Sequence, residues 1–363
     1  MPVDNRMLWI RNLDGLDVDT AETAEAELGS EAQVFGMLDY NNGAILCGLA
    51  TGQPDEHGLY KYVLRLAYPP DTEYDWTQVT KKGYVYRDGT FGELSAIISF
   101  YLRVRMFVLS YSELRISRTS APHKVEFSVL RRRVDPRRDP IVFGRSYDRN
   151  FIHGLPGFLD TLRHLPQQHH YPVMMAIDHY ARSLREIGLD DEMVFVRLVS
   201  AVEAASGEFR PTDALSTRKI SELVNVSVLS PSELKEIEKL FATRRAKARF
   251  VEFLDRYSKG FIKGGRTKAP HTRVTRSNLR DLLSNIYDAR SNYLHRGDPM
   301  YLSEAIPHDP KWHTDATVGR HWQSRKFTTR EKMPYIHFFH RLVRHALLAY
   351  IEELATSRPA NSR

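Results

Sequence analysis

The chain has 363 residues, of which 42% are hydrophobic and 27% are charged, and its formal net charge is +7. This length is enough for two domains with a sizeable core, and the composition excludes a disordered or fibrous chain. The mild basic excess is compatible with a polyanionic partner but does not require one, because many proteins that bind no nucleic acid are equally basic.

The same sequence features indicate a cellular compartment. No apolar run is long enough to cross a membrane, and the N-terminus lacks a signal-peptide pattern. The single cysteine, Cys47, excludes an intramolecular disulfide and suits a reducing cytosol. Because Cys47 ends an apolar run, we interpret it as a small core residue and not as a nucleophile. We therefore expect a cytoplasmic protein without membrane contact.

Residues 1–160 show mixed strand and helix patterns and form the first predicted domain, whose role the sequence does not indicate. The Asn-Asn-Gly at 41–43 lies between two apolar runs and predicts a β-hairpin. Residues 92–104 have apolar side chains at helical spacing and predict a helix. Further strands are predicted at 59–68, 106–111 and 124–130, and a second turn at 87–89 between residues 84–86 and Phe91.

From residue 171 to 363 the pattern is helical throughout, which predicts an all-α second domain. Before it, His169 and His170 lie in a Pro-containing segment with no further metal ligand at suitable spacing, so we interpret them as part of a linker and expect no metal or other cofactor. Helices are predicted at 173–187, 193–205, 231–254 and 334–354, and a mobile basic loop at 259–271. The sequence thus predicts an α+β protein in which a helical bundle follows a mixed domain.

The helix that precedes Gly297 carries the strongest functional signal. At about 100° per residue, Arg290 falls in the middle of the apolar stripe of this helix. Burying a charge there costs several kcal/mol unless the charge is paired or serves a function. Helix 193–205 carries a matching anomaly, because Glu203 interrupts a nearly continuous apolar surface. We therefore predict an ion pair between Glu203 and Arg290, which could be purely structural. The apolar stripe comprises Leu279, Leu282, Leu283, Ile286, Tyr293 and Leu294.

The end of this helix resembles the Arg-x4-His motif of HEPN domains, specifically of their ApeA-like branch. The motif is Arg290-Ser291-Asn292-Tyr293-Leu294-His295-Arg296-Gly297, and the resemblance covers residues 171–355. The segment 198–205 is similar to the upstream helix of that branch, where an Ala-Leu-Glu run is common. The chain departs from the wider superfamily at Ser291, where Asn, Asp or His is frequent. Among the Arg/His pairs of this chain, only Arg290/His295 lies inside a helix with an apolar stripe before it and a glycine after it.

The resemblance implies a metal-independent endoribonuclease that is active as a homodimer, such as a toxin or antiviral defence effector. His295 would take or give the proton of a ribose 2′-hydroxyl, since an imidazole titrates near neutral pH. Arg290 would hold a phosphate that gains charge in the transition state. Ser291 and Asn292 would hold a phosphate oxygen or orient the imidazole.

The basic residues around the motif suit RNA backbone binding. Lys263 and Arg266 lie in the predicted basic loop, and Arg296 follows His295 directly. Contacts from such side chains to phosphates would give affinity without sequence choice.

Helical geometry leaves two arrangements of the motif open. Residues five apart point about 140° apart on an ideal helix, so Arg290 and His295 cannot converge from one straight helix. Either the helix loosens near Gly297, or the pair meets the same pair of a second subunit across a two-fold axis. His295 also has an ordinary interpretation, as a basic residue in the last helical turn before a C-cap glycine.

Two other functions stay open at this point. The first is a catalytically inactive module of the same fold that binds RNA or a protein. The second is a helical scaffold or regulator unrelated to RNA. Loss of RNA cleavage on changing Arg290 or His295 would separate an enzyme from both, and salt-dependent RNA binding would separate these two from each other.

Overall fold

The computed structural model describes residues 6–17, 20–34, 36–49, 53–69, 89–112, 124–126, 153–207, 209, 246–262, 274–300, 321–322, 325–326 and 333–357. The chain divides into two compact units, residues 1–190 with 351–363 and residues 191–350. An antiparallel sheet and helices occur together, so the α+β class is confirmed. No helix in the described ranges is both long and apolar enough to span a membrane.

The first unit is built on a six-stranded antiparallel sheet with the order β2-β3-β4-β1-β5-β6. Its central strands pair with Ala26 opposite Leu64. Alternate residues of both strands are buried, whereas Glu25 and Arg65 form an ion pair on the other face, so one face of the sheet carries the core. The strands are β1 (Glu22–Ser30), β2 (Leu38–Tyr40), β3 (Ile45–Leu49), β4 (Tyr60–Tyr68), β5 (Phe107–Ser112) and β6 (Lys124–Glu126).

Helices α1 (Leu8–Asp14), α2 (Gly89–Leu102), α3 (Leu155–Arg163) and α4 (Gln167–Glu186) complete the first unit. Helix α2 is buried over nearly its whole surface and packs against α4. The buried carboxylate of Glu93 on α2 accepts the backbone N–H groups of Leu8 and Trp9 at 3.1 and 2.8 Å. A negative charge is favourable there because these amides lie at the start of α1.

Arg105 connects the sheet to the end of α4. Its side chain is 2% exposed, and its Nη1 lies 2.9 Å from Oε1 of Glu31. Nε donates to the carbonyl of Leu184 at 2.9 Å, and Nη2 donates to the carbonyl of Ile187 at 3.1 Å. A cation is favourable at a helix C-terminus, where carbonyl groups have no partner within the helix. Each of the three guanidinium nitrogens therefore has an acceptor.

Several predictions for this unit are confirmed. The Asn-Asn-Gly at 41–43 joins β2 to β3, and Asn41 and Asn42 adopt φ angles of 55° and 54°, as a tight hairpin turn requires. The strands predicted at 59–68 and 106–111 are β4 and β5, and the helix predicted at 92–104 is α2. The predicted strand 124–130 is found as β6, and its later residues lie outside the described ranges, as do residues 84–88.

Other predictions for this unit need correction. Phe91 does not flank a turn but lies buried in α2, where its ring packs against Tyr68. His169 and His170 do not form a linker, because both belong to the first turns of α4. His170 is buried, with Nε2 3.0 Å from the carbonyl oxygen of Leu165. Helix α4 packs against α2, and the compact units divide between Asp190 and Asp191.

The second unit is mainly helical in its described ranges. The expectation of an all-α domain is wrong for this unit, because the short strands β7 (His321–Trp322) and β8 (Arg325–Lys326) pair with each other. Phe339 stacks on Phe195 with ring centroids 5.3 Å apart, and Phe250 packs against Tyr287 at 5.5 Å. The helices are α5 (Asp191–Ala205), α6 (residues 246–257), α7 (Arg276–Arg296) and α8 (Ile336–Thr356), of which residues 336–350 belong to this unit.

Candidate functional site

Helix α7 is regular over the whole motif. At its start, the backbone N–H of Thr275 donates to Oδ1 of Asn278 at 2.7 Å. At its end, Gly297 adopts a φ of 73°, and its N–H donates to the carbonyl of Tyr293 at 3.1 Å. This left-handed cap is the ending that the sequence predicted, and glycine adopts it without strain. Because α7 does not loosen before Gly297, Arg290 and His295 stand on one regular helix and point about 140° apart.

The predicted ion pair between Glu203 and Arg290 is confirmed. Nη2 of Arg290 lies 2.8 Å from Oε2 of Glu203, and the two side chains are 17% and 28% exposed. The pair joins α7 to α5, which pack against each other. Each charge interrupts an apolar helix face, as the sequence indicated, and the partner on the other helix accounts for both anomalies.

Tyr287 is a third member of this group, and the sequence analysis missed it. Its hydroxyl donates to Oε1 of Glu203 at 2.9 Å, and its ring centroid lies 5.9 Å from Cζ of Arg290. Burial, followed by the charge and hydrogen bond of Glu203, raises the pKa of Tyr287 above its ordinary value. The phenol therefore stays protonated and donating. A signal was available, because a tyrosine three residues before Arg290 shares its helix face and a buried hydroxyl needs a partner.

The guanidinium of Arg290 is only partly satisfied. Its Nε is buried and has no hydrogen-bond partner within the described part of the chain. A buried donor without a partner costs about 1–3 kcal/mol. Arg249 is a second cation close by: it lowers the pKa of Tyr287 in part, and its Nη1 donates to the carbonyl of Gly207 at 3.0 Å. The site therefore combines one carboxylate with two guanidinium groups.

The last turn of α7 faces solvent. Asn292, His295 and Arg296 are exposed, Ser291 is half-buried, and Leu294 is 44% exposed. The prediction that the apolar stripe continues to Leu294 is therefore wrong, because burial ends at Tyr287. His295 forms no hydrogen bond or ion pair with the described residues, so Arg290 and His295 are not brought together within one chain. Lys263 and Arg266 lie outside the described ranges.

The segment that follows the motif is attached to α5. The N–H of Met300 donates to Oε1 of Glu192 at 2.6 Å, and Met300 is buried. Glu192 lies in the first turn of α5, whereas Glu203 lies near its end. The motif is therefore held by α5 on both sides, through Arg290 before His295 and through Met300 after it.

Nothing in the described ranges gathers three or more His, Cys, Asp or Glu side chains in an arrangement suited to a metal ion. In comparisons with known proteins, the chain matches no family model, no curated protein and no solved structure. The likeness to HEPN domains therefore depends on the residues of the motif.

Proposed function

We propose that the second unit is a HEPN-type helical bundle that cleaves RNA without a metal ion. The observation that carries the proposal is Arg290, which is anchored to Glu203 at 2.8 Å but leaves its Nε without a partner in the described chain. An arginine that is held at one nitrogen and unsatisfied at another is suited to receive a phosphate. It occupies the position at which the motif places the phosphate-binding arginine.

The reaction needs a base, a stabilised phosphate and an acid. His295 is exposed in the last turn of α7 and can accept the proton of a ribose 2′-hydroxyl. The 2′-oxygen then forms a bond to the adjacent phosphorus, the bond from phosphorus to the 5′-oxygen breaks, and the leaving oxygen takes a proton. Arg290 stabilises the charge that gathers on the phosphate, with Ser291 and Asn292 at its side. The products carry a 2′,3′-cyclic phosphate and a 5′-hydroxyl.

A homodimer gives the two side chains a common target. Arg290 and His295 diverge by about 140° on one helix, so a pair contributed by two subunits could converge where one chain cannot. In this proposal the exposed turn with Leu294 faces the partner, and Arg290 and His295 of both chains border one groove. Arg296, Lys263 and Arg266 would hold the RNA backbone without choosing a sequence.

The second candidate is a catalytically inactive module of the same fold that binds RNA or a protein. One observation favours it: His295 stands in the last turn before a left-handed glycine cap and has no described partner, which suits a plain helix terminus. This candidate predicts RNA binding that weakens with salt but no cleavage. A scaffold unrelated to RNA predicts neither.

The proposal is tested by incubating the purified full chain with total RNA in EDTA. We expect cleavage products that end in a 2′,3′-cyclic phosphate or a 3′-phosphate, and a rate at least about 100-fold lower for His295→Ala. His57→Ala is the matched control, because His57 is an exposed histidine of the first unit whose Nε2 lies 3.3 Å from Oε1 of the exposed Glu56. Activity that EDTA abolishes and Mg²⁺ restores, or products with a 3′-hydroxyl, would refute a metal-independent mechanism.

Light scattering at the assay concentration tests whether the protein is a dimer, as a groove shared between two subunits requires. We expect a dimer, and a strictly monomeric protein that still cleaves RNA would refute the shared site. The biological setting that we propose, a toxin or antiviral effector in which residues 1–160 sense or position, predicts that expression of the wild-type chain slows growth and that expression of His295→Ala does not.

A further inference from the structure

We propose that Tyr287 is a positioning residue that keeps Arg290 open to a phosphodiester. By holding Oε1 of Glu203, the Tyr287 hydroxyl limits the ion pair to a single hydrogen bond and leaves the Nε–H of Arg290 for a phosphate oxygen. This inference rests on the proposed function, because it concerns how the arginine of that site is presented.

The guanidinium of arginine is planar and presents its N–H bonds in fixed directions. Nε and Nη2 form an edge with two parallel N–H bonds, which matches the two oxygens of a carboxylate. Here Nη2 of Arg290 bonds Oε2 of Glu203 at 2.8 Å, but Oε1 accepts the hydroxyl of Tyr287 at 2.9 Å. Nε is left buried without a described partner. The Glu203 carboxylate therefore accepts one hydrogen bond from Tyr287 and one from Arg290, and does not form two parallel hydrogen bonds with Arg290.

The Tyr287 hydroxyl competes well for the carboxylate oxygen. A hydrogen bond to an ionised group is stronger than one between neutral groups. Burial and Glu203 raise the pKa of Tyr287, so the hydroxyl keeps its proton across the working pH range. Without it, Oε1 would lose its donor, and the nearest unsatisfied donor on the same guanidinium is Nε. We therefore expect a Phe at position 287 to let the carboxylate turn and close the bidentate pair.

A closed pair would block the function assigned to Arg290. A phosphate would then have to break two charge-assisted hydrogen bonds before reaching the guanidinium edge. In the observed arrangement, the Arg290 side chain keeps 17% exposure, through which an anion can approach. Since Nε itself has no exposed surface, a phosphate oxygen first meets the rim of the guanidinium and reaches Nε by a shift of the side chain.

The test compares Tyr287→Phe with Tyr257→Phe in the full chain. Tyr257 is the matched control, because it is another buried tyrosine of the second unit, and its ring packs against Phe253. The first readout is the Nε–H signal of Arg290 in ¹H–¹⁵N spectra of arginine-labelled protein, identified by its loss in Arg290→Ala. We expect inorganic phosphate to shift this signal in the wild type. In Tyr287→Phe, the signal moves before phosphate is added, and the apparent phosphate affinity falls about tenfold or more.

The second readout is steady-state cleavage of an RNA oligonucleotide. Arg290 is proposed to hold the phosphate both in the bound substrate and in the transition state, so Tyr287→Phe should lower kcat/KM at least about tenfold by raising KM and lowering kcat. Tyr257→Phe should leave both constants unchanged. Equal effects of the two substitutions would show general loosening of the helices and would overturn the inference.

Glu203→Gln supplies a rescue that a purely structural role would not show. A carboxamide has only one oxygen, so it cannot close the bidentate pair, and the double variant Glu203→Gln/Tyr287→Phe should regain phosphate affinity relative to Tyr287→Phe. A double variant that binds phosphate no better than Tyr287→Phe would overturn the inference. An unchanged Nε–H signal and phosphate affinity in Tyr287→Phe would also overturn it. If the wild type fails to cleave RNA but these phosphate responses hold, the nuclease proposal falls and the positioning role stands.

Discussion

Two arginines, one in each compact unit, differ in how many of their guanidinium nitrogens bond an acceptor in the fold. Arg105 is 2% exposed, and its three nitrogens bond Glu31, Leu184 and Ile187. Arg290 is 17% exposed, and one of its nitrogens bonds Glu203 while Nε has no described partner. Both side chains are mostly shielded from solvent, but their hydrogen bonds differ more than their exposed fractions do. The comparison teaches that Arg105 uses every guanidinium nitrogen within the fold, whereas Arg290 keeps a donor that no described residue accepts.

The largest expected effect is the loss of stability on Arg105→Ala. The substitution removes three hydrogen bonds and leaves the carboxylate of Glu31 without its cation. Breaking a buried pair in this way costs about 3–5 kcal/mol. Urea unfolding followed by circular dichroism measures the change, with the exposed Arg65→Ala as control. A loss below about 1 kcal/mol would show that the hydrogen bonds of Arg105 contribute little to the stability of the fold.

Arg290→Ala should cost less stability but remove activity. It breaks one hydrogen bond at a partly exposed pair and strands Glu203, for which we expect about 1–3 kcal/mol. The same urea experiment and an RNA cleavage assay measure the two effects. Because each guanidinium nitrogen of Arg105 already bonds an acceptor inside the first unit, Arg105→Ala should change cleavage only in proportion to the unfolded fraction. Equal stability losses for the two alanine variants, with cleavage retained in Arg290→Ala, would contradict the distinction.

The third prediction concerns pH. Burial raises the pKa of Glu31, and Arg105 opposes this rise. Because the pKa of Glu31 is higher in the folded state than in the unfolded state, its contribution to the free energy of unfolding is complete below the unfolded pKa. This contribution is lost as pH rises through the folded pKa. Arg105→Ala should raise the folded pKa further, so the destabilisation should be smaller near pH 5 than near pH 8, by about 1 kcal/mol. Urea titrations at both pH values check this, and a penalty independent of pH would show that the Glu31 charge is not what Arg105 supports.

The smallest expected effect on stability belongs to His295→Ala. His295 is exposed and makes no described hydrogen bond, so the free energy of unfolding should stay within about 0.5 kcal/mol of wild type. Dimerisation should also be unchanged, although cleavage is lost. A large loss of stability would instead support the interpretation of His295 as a helix-terminal residue whose charge stabilises α7. Full activity of this variant would remove the catalytic assignment.

The elements that the sequence predicts best have strong local signals. The hairpin at 41–43 is found because positive φ angles favour Asn and Gly. The ion pair of Glu203 and Arg290 is found because each charge interrupts an apolar helix face. Strand β1 escapes prediction because its Ala- and Glu-rich sequence has little intrinsic preference for a strand. It forms through pairing with β4 and β5, which lie far away in sequence.

The candidate site shows the same division between local and distant information. The spacing of apolar residues on α7 predicts that Arg290 needs a partner. The hydroxyl of Tyr287, however, donates to an acceptor on α5, and residue spacing within one helix cannot predict a contact with another helix. The exposure of Leu294 is likewise set by which elements reach the end of α7. Arg105 lies between Val104 and Met106, in too short an apolar run to show a helical stripe, so no pattern identified it as buried.

The two carboxylates of α5 have a consequence for the energetics of binding. Glu192 and Glu203 are eleven residues apart on one helix, which corresponds to about 16 Å. Glu203 accepts a hydrogen bond from Arg290, and Glu192 accepts one from the N–H of Met300. Both ends of the turn that carries His295 are therefore fixed, while the turn itself lies in solvent. A group held in this way loses little conformational entropy when a ligand arrives. Removing the hydrogen bond between Glu192 and Met300 would therefore leave the average position of His295 unchanged. It would widen the range of positions that His295 samples, and so increase the conformational entropy lost when a ligand binds.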